Sequence, residues 1–259
     1  MTELLTLANQ LSGFGQDVLW VAFLVFLRVG AAMALIPAFG EQAVPQRVKL
    51  VLALAFTAIV APAVSADVVT VRPGSATPLI TEVIAGLIIG AGLRFFIIAL
   101  QTAGAIIAQA TTLSQLFAGT GPEPQPAIAN LLVMAGLALA VMAGLHLNAA
   151  ELLILSYGPL PAGQFPAASD LADWGIFQIA KAFSLAFAMA APFVAASFIY
   201  NTALGVINRA MPTLMVSFIG APALALGGLL LLAVVTPLAL ALWITAIEAY
   251  VANPYQAAP

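Results

Sequence analysis

The chain has no cysteine and a single histidine, His146. That removes disulfides, thiolate nucleophiles and zinc–sulfur sites together, and leaves no second imidazole to help hold a metal or relay a proton. Charge is almost as scarce: seven basic and ten acidic residues amount to 7% of the chain, where a soluble domain carries about 25%. With a net charge of −3 and no basic tract, there is no phosphate-binding footprint, and nucleic acid is excluded as a partner. No GxSxG, HExxH or P-loop occurs, and no acid pair is spaced for catalysis, so an enzyme is not expected and no cofactor is implied. The segment MTELLTLANQLSGFGQDVLW has no lysine or arginine before Arg28. It lacks the basic start of a secretory signal, and its first apolar segment is expected to be retained.

What is abundant is apolar surface. Hydrophobic residues make up 63% and the mean hydropathy is +1.13. At about 20 residues per crossing, the length admits about six spans. Six apolar stretches run Val18–Ile36, Leu50–Ala66, Leu79–Ala108, Ala127–Ala149, Trp174–Tyr200 and Thr213–Ile247. The expectation is an all-α membrane protein of about six long, partly broken helices or helical hairpins. Pro222, Gly227, Gly228 and Pro237 fall in the last stretch, which reads as a kinked helix or a hairpin. The connections IPAFGEQAVP, SADVVTVRPGSATP, FAGTGPEPQP and YGPLPAGQFPAASD carry Gly- and Pro-rich turn chemistry.

Three cations, Arg28, Arg94 and Lys181, lie inside these stretches. A charge at a lipid-exposed helix centre costs roughly 2.5–3.5 kcal/mol, so such residues face protein or water. Glu82 and Arg94, twelve residues apart, are separated by about 120° and about 18 Å on one helix and cannot pair there. Arg28 and Arg94 are therefore expected to find partners elsewhere, on other chains, while Lys181 can snorkel. Gly86 and Gly90 form GxxxG, and Gly136, Ala140 and Gly144 place small residues every fourth position. Both stripes permit close helix approach, within the chain or at a subunit interface. His146, alone, is expected to make a buried hydrogen bond. The segment Leu113–Pro126 joins an apolar ridge of Leu113, Leu116 and Phe117 to the helix-breaking GTGPEPQP, and reads either as a re-entrant corner or as a plug.

These segments together resemble the FliR/SctT family, the export-gate subunit of flagellar and injectisome type III secretion. The resemblance spans nearly the whole chain. Phe26, Arg28, Pro37, Phe39, Gly40, Val44, Pro45, Arg47 and Lys49 match its first motif, and Gly144, His146, Ser156, Pro161 and Gly163 its middle region. Gly205, Arg209, Pro212, Val216, Phe218, Gly220 and Pro222 match the last and most specific motif, with Met215 where the family often has asparagine. The resemblance implies a FliP-like first part over residues 1–170 and a FliQ-like helical hairpin over 171–259. It implies FliP-like and FliQ-like gate subunits as partners, an FlhB-like protein nearby, unfolded export substrates, and membrane lipid around the complex. The implied place is the bacterial inner membrane at the flagellar basal body. Leu113, Leu116 and Phe117 would form the pore plug, and Arg28, Gly86, Gly90, Arg94, Arg209 and Pro212 would serve helix packing and the subunit interface. The competing reading is a secondary transporter with Arg28, Glu82 and Arg94 in a substrate or proton pathway. Copurification with FliP-like and FliQ-like chains separates the two.

Overall fold

The computed structural model describes residues 2–71, 74–111, 127–211 and 216–255. Seven helices occur there and no strand: α1 Thr2–Met33, α2 Gln46–Val68, α3 Thr77–Ala110, α4 Ala127–Met142, α5 Leu145–Leu155, α6 Ala168–Ala210 and α7 Val216–Ala252. Five are long and apolar enough to cross a membrane, or six if α4 and α5 count as one broken span. The segment Leu113–Pro126 with its proposed plug, and Pro212, lie outside the described residues.

One stretch departs from expectation, and another is resolved between the two forms expected for it. The fourth is not one helix: regular structure stops at Met142 and restarts at Leu145 around Gly144, whose φ of 84° is left-handed. A side chain in that conformation costs roughly 1–2 kcal/mol, so the glycine is what permits the break. Gly144 therefore does not continue the face of Gly136 and Ala140. The last stretch is a single helix through both Pro222 and Pro237 rather than a hairpin. Prolines are tolerated in membrane helices where neighbouring groups re-satisfy the freed carbonyls.

The chain divides into two compact units. The first comprises Met1–Arg94, Ala143–Gly175 and Val251–Pro259. Its core gathers Leu24, Val25, Val29 and Met33 of α1, Val60 and Val64 of α2, and Leu145, Leu152 and Leu153 of α5. Between α1 and α2 the chain turns at Pro37, with Phe39 set edge-on against Phe56 at 5.8 Å and Lys49 Nζ donating to the Gly40 carbonyl at 2.9 Å. A smaller apolar cluster joins Ala85, Ile88 and Leu160 to Leu171, Trp174 and Tyr255, and Trp174 Nε1 donates to the Pro254 carbonyl at 2.9 Å.

The second unit comprises Phe95–Met142 and Ile176–Tyr250. Gly104 leaves room for the backbone of Ala129, and Gly136 leaves room for Leu100 and the Trp243 ring. Trp243 is fully buried, and its Nε1 donates to the Phe96 carbonyl at 2.8 Å. The indole thus satisfies its one donor while filling the space that Gly136 vacates.

Candidate functional site

A polar cluster lies inside the first unit. Arg28 projects from the last two turns of α1 and Glu82 from the second turn of α3. The guanidinium grips the carboxylate with both ends of its fork, Nε to Oε2 at 2.7 Å and Nη2 to Oε1 at 3.0 Å. Its Nη1 donates to Ser156 Oγ at 3.0 Å, and Nη2 also donates to the Leu160 carbonyl at 2.9 Å. Ser156 Oγ in turn donates to the Leu153 carbonyl at 2.7 Å. The Tyr157 ring covers the guanidinium at 3.6 Å from the ring centre, and its hydroxyl donates to Glu82 Oε2 at 3.2 Å. Arg28 is 1% exposed and Glu82 not at all. Burial raises the Tyr157 phenol above its ordinary range, against the opposing pull of the Arg28 charge. The hydroxyl therefore stays protonated and able to donate.

The geometry follows from one row of α3. Glu82, Gly86, Gly90 and Arg94 recur every fourth residue, the spacing of a helix surface ridge. A side chain at Gly86 would strike the Arg28 carbonyl, and one at Gly90 would meet the Ala32 carbonyl at 2.7 Å and Leu35 Cβ at 2.8 Å. Steps of four on both helices place α1 and α3 side by side in the same direction. The row ends at Arg94, whose Nη1 pairs with Glu41 Oε1 at 2.5 Å, half-buried. Its azimuth drifts by about 40° per step, so the two ends of the row reach different partners: Arg28 for Glu82, and Glu41 for Arg94.

Both arginines thus have carboxylate partners within this chain, where partners from other chains were expected. The structure brings Arg28, Gly86 and Gly90 into the α1/α3 contact, and pairs Arg94 with Glu41 in the connection between α1 and α2. It does not bring Arg209 there: Arg209 is exposed in the last turn of α6, where a cation complements the helix dipole. His146 is exposed on α5 rather than buried, because the break at Gly144 resets which face of the following helix turns inward. Lys181 is also exposed, its Nζ 4.4 Å from the centre of the Phe177 ring. Among the described residues no group of three His, Cys, Asp or Glu could hold a metal. Sequence reasoning passed over Glu41, Tyr157 and the Leu160 carbonyl, and tested Glu82 only against Arg94. Each side chain of the central cluster finds its partners inside the protein, so its chemistry is that of a fixed joint.

Comparison with known proteins places the chain. The family model described as bacterial export proteins, family 1, matches residues 19–250. The flagellar biosynthetic protein FliR of Caulobacter vibrioides is 38% identical over 221 residues, covering 83% of this chain and 87% of that protein. The protein of the same name from Escherichia coli is 33% identical over 226 residues, with 83% and 84% covered. That of Pectobacterium carotovorum is 27% identical over 228 residues, with 85% and 86% covered. The chain belongs to the FliR family of bacterial export proteins, and is a non-enzymatic membrane component of that family.

Proposed function

We propose that this protein is a subunit of the type III protein-export gate in the bacterial inner membrane, at the flagellar basal body. With FliP-like and FliQ-like subunits it forms the channel through which unfolded flagellar proteins leave the cell, and an FlhB-like protein associates nearby. In this reading residues 1–170 take the FliP-like role, 171–259 the FliQ-like hairpin, and Leu113, Leu116 and Phe117 the plug. The observation that carries it is the similarity to FliR proteins along residues 19–250.

Packing supports a multi-subunit role. In the most apolar part of α3, 56% of residues are buried within the chain, against 22% in α6 and 17% in α7. Leu226, Leu230, Val234, Leu238 and Leu242 stand exposed along α7, one every four residues, a ridge suited to a facing helix. Transport through Arg28 and Glu82 is disfavoured by their closure: a transport site needs groups that can change partners, and these are bidentate, buried and capped by Tyr157.

The test is copurification. A tagged chain expressed with its FliP-like and FliQ-like neighbours should elute as one complex with both. A chain that elutes alone under conditions where those two subunits assemble with each other overturns the proposal.

A further inference from the structure

The end of α7 returns to the buried joint of the first unit. The helix stops at Ala252, and Val251–Pro259 belongs to the same compact unit as Arg28, Glu82 and the turn after α5. Just past the helix, the Pro254 carbonyl accepts from Nε1 of Trp174, in the second turn of α6, at 2.9 Å. Tyr255 packs, together with Leu171 and Trp174, against the cluster of Ala85, Ile88 and Leu160. The start of α6 and the end of α7 are therefore tied at one place.

That place lies directly against the joint. Leu160 has its side chain in the cluster that Tyr255 covers and its carbonyl on Arg28 Nη2. Its own amide donates to the Ser156 carbonyl at 2.9 Å. One turn, residues 156–160, thus carries the Ser156 hydroxyl, the Tyr157 ring and the Leu160 carbonyl around the guanidinium. Ala85 follows Glu82 by three residues on α3, the spacing of neighbours on one helix face. The Arg28 charge is close enough to Tyr255 to oppose the upward shift that burial gives its phenol. Arg28, Glu82 and Ala85 are buried, Trp174, Pro254 and Tyr255 half-buried, and Asn253 exposed. The ion pair is the inner layer and the segment after α7 the outer one. Lifting the outer layer breaks the Trp174 hydrogen bond and the Tyr255 contact, but leaves intact the bonds of Arg28 to Glu82, Ser156 and Leu160. It is the cheaper of the two openings.

We propose that residues 253–255 are a strap, latched by Trp174 and Tyr255, which opens as a unit and governs water access to the Arg28–Glu82 joint and the tie between the ends of α6 and α7. Closed, it shields the ion pair. Open, it frees those two helix ends while the pair beneath still holds α1 to α3.

The chain has no cysteine, so a single introduced thiol reports water access without background. Ala85→Cys, at a position 3% exposed in the cluster that Tyr255 covers, reads the site beneath the strap. Val60→Cys, at a buried position on α2, reads the rest of the unit's core. Each is placed in the full chain in membranes, and its rate of modification by a small thiol reagent is measured. Trp174→Phe keeps an aromatic ring and removes the N–H. It should speed labelling at Ala85→Cys about two- to ten-fold, the range that one hydrogen bond supports. Tyr255→Ala should speed it about ten-fold or more, since part of the cover goes with the ring. Neither change should alter labelling at Val60→Cys. Unchanged labelling at Ala85→Cys in the Trp174→Phe chain overturns the strap, because the bond then latches nothing. An equal rise at Val60→Cys overturns it as well, because the fold as a whole has then loosened. Trp174→Phe alone keeps the test decisive if Tyr255→Ala misfolds.

Discussion

Arg28 has five N–H donors, and the surroundings place two on Glu82, one on Ser156 and one more on the Leu160 carbonyl. Such a group is costly to leave half-made. Removing one member of a buried ion pair typically destabilises by about 3–5 kcal/mol, whereas exchanging both for apolar residues of similar volume is often close to neutral. Arg28→Ala and Glu82→Ala should each lower the thermal stability of the purified chain severely, and Arg28→Met with Glu82→Leu should recover much of the loss. A loss in the Arg28→Met, Glu82→Leu double variant equal to the sum of the losses in the Arg28→Met and Glu82→Leu single variants would mean that the two side chains act independently. The tyrosines nearby give a second expectation, in pH. Burial pushes the Tyr255 phenol up from 10.0 to about 12, with Arg28 opposing, and Tyr157 moves the same way. A raised folded value means the folded state holds its proton while the unfolded chain loses it. This contribution to stability is complete below pH 10 and falls as pH rises from there through about 12. Melting temperatures measured from pH 8 to 12 should show that decline, and Tyr157→Phe with Tyr255→Phe should reduce it.

At the scale of the helix, GxxxG on α3 could have faced another subunit, but the atoms it meets belong to α1. That moves the expected defect. Gly86→Ala places a methyl group against the Arg28 carbonyl, which is backbone and cannot swing aside. Gly90→Leu meets the Ala32 carbonyl and Leu35 in the same way. Both should weaken the fold of the chain itself, before any partner is added. Gly205, in α6, has open space where a side chain would stand, so Gly205→Ala should hold or raise chain stability by about 0.5–1 kcal/mol through helix propensity. Comparing protease resistance of the three isolated variants checks this contrast; equal behaviour of Gly86→Ala and Gly205→Ala would contradict it. Much of the element pattern was legible because about 20 apolar residues have few options in a membrane. The break at Gly144 was not, since glycine is common in membrane helices and its left-handed φ leaves no trace in hydropathy. The Arg28–Glu82 joint was closer to hand: Glu82 is the one acid inside the six apolar stretches. Glu41 was hidden in a connection, and a connection's path is not written in its periodicity.

For the whole molecule, the distribution of burial separates what the chain stabilises alone from what it leaves for others. Arg28 and Arg94, both inside apolar helices, are paired internally, so under the proposed function unpaired charge is not what would make the chain depend on partners. The sparsely buried α6 and α7 would be the better source of such dependence. Expressed alone, the chain should insert yet associate through those apolar faces, and a monodisperse monomer in detergent would count against the shared-interface reading. The proposed gate function assigns closure of the resting channel to the segment Leu113–Pro126, whose ridge of Leu113, Leu116 and Phe117 precedes GTGPEPQP in the sequence. An apolar constriction excludes water and ions by dewetting. Its side chains can move aside for a polypeptide without breaking ion pairs, so such a seal suits unfolded cargo better than a ring of charges. Deleting Leu113–Phe117 should therefore raise ion leak through the assembled gate while export persists, because the seal is lost before the path is blocked. Ion conductance and secretion of flagellar protein, measured in the same cells with assembly verified, decide the matter: raised conductance with export retained supports a gasket, and unchanged conductance in a fully assembled gate makes the segment a structural corner.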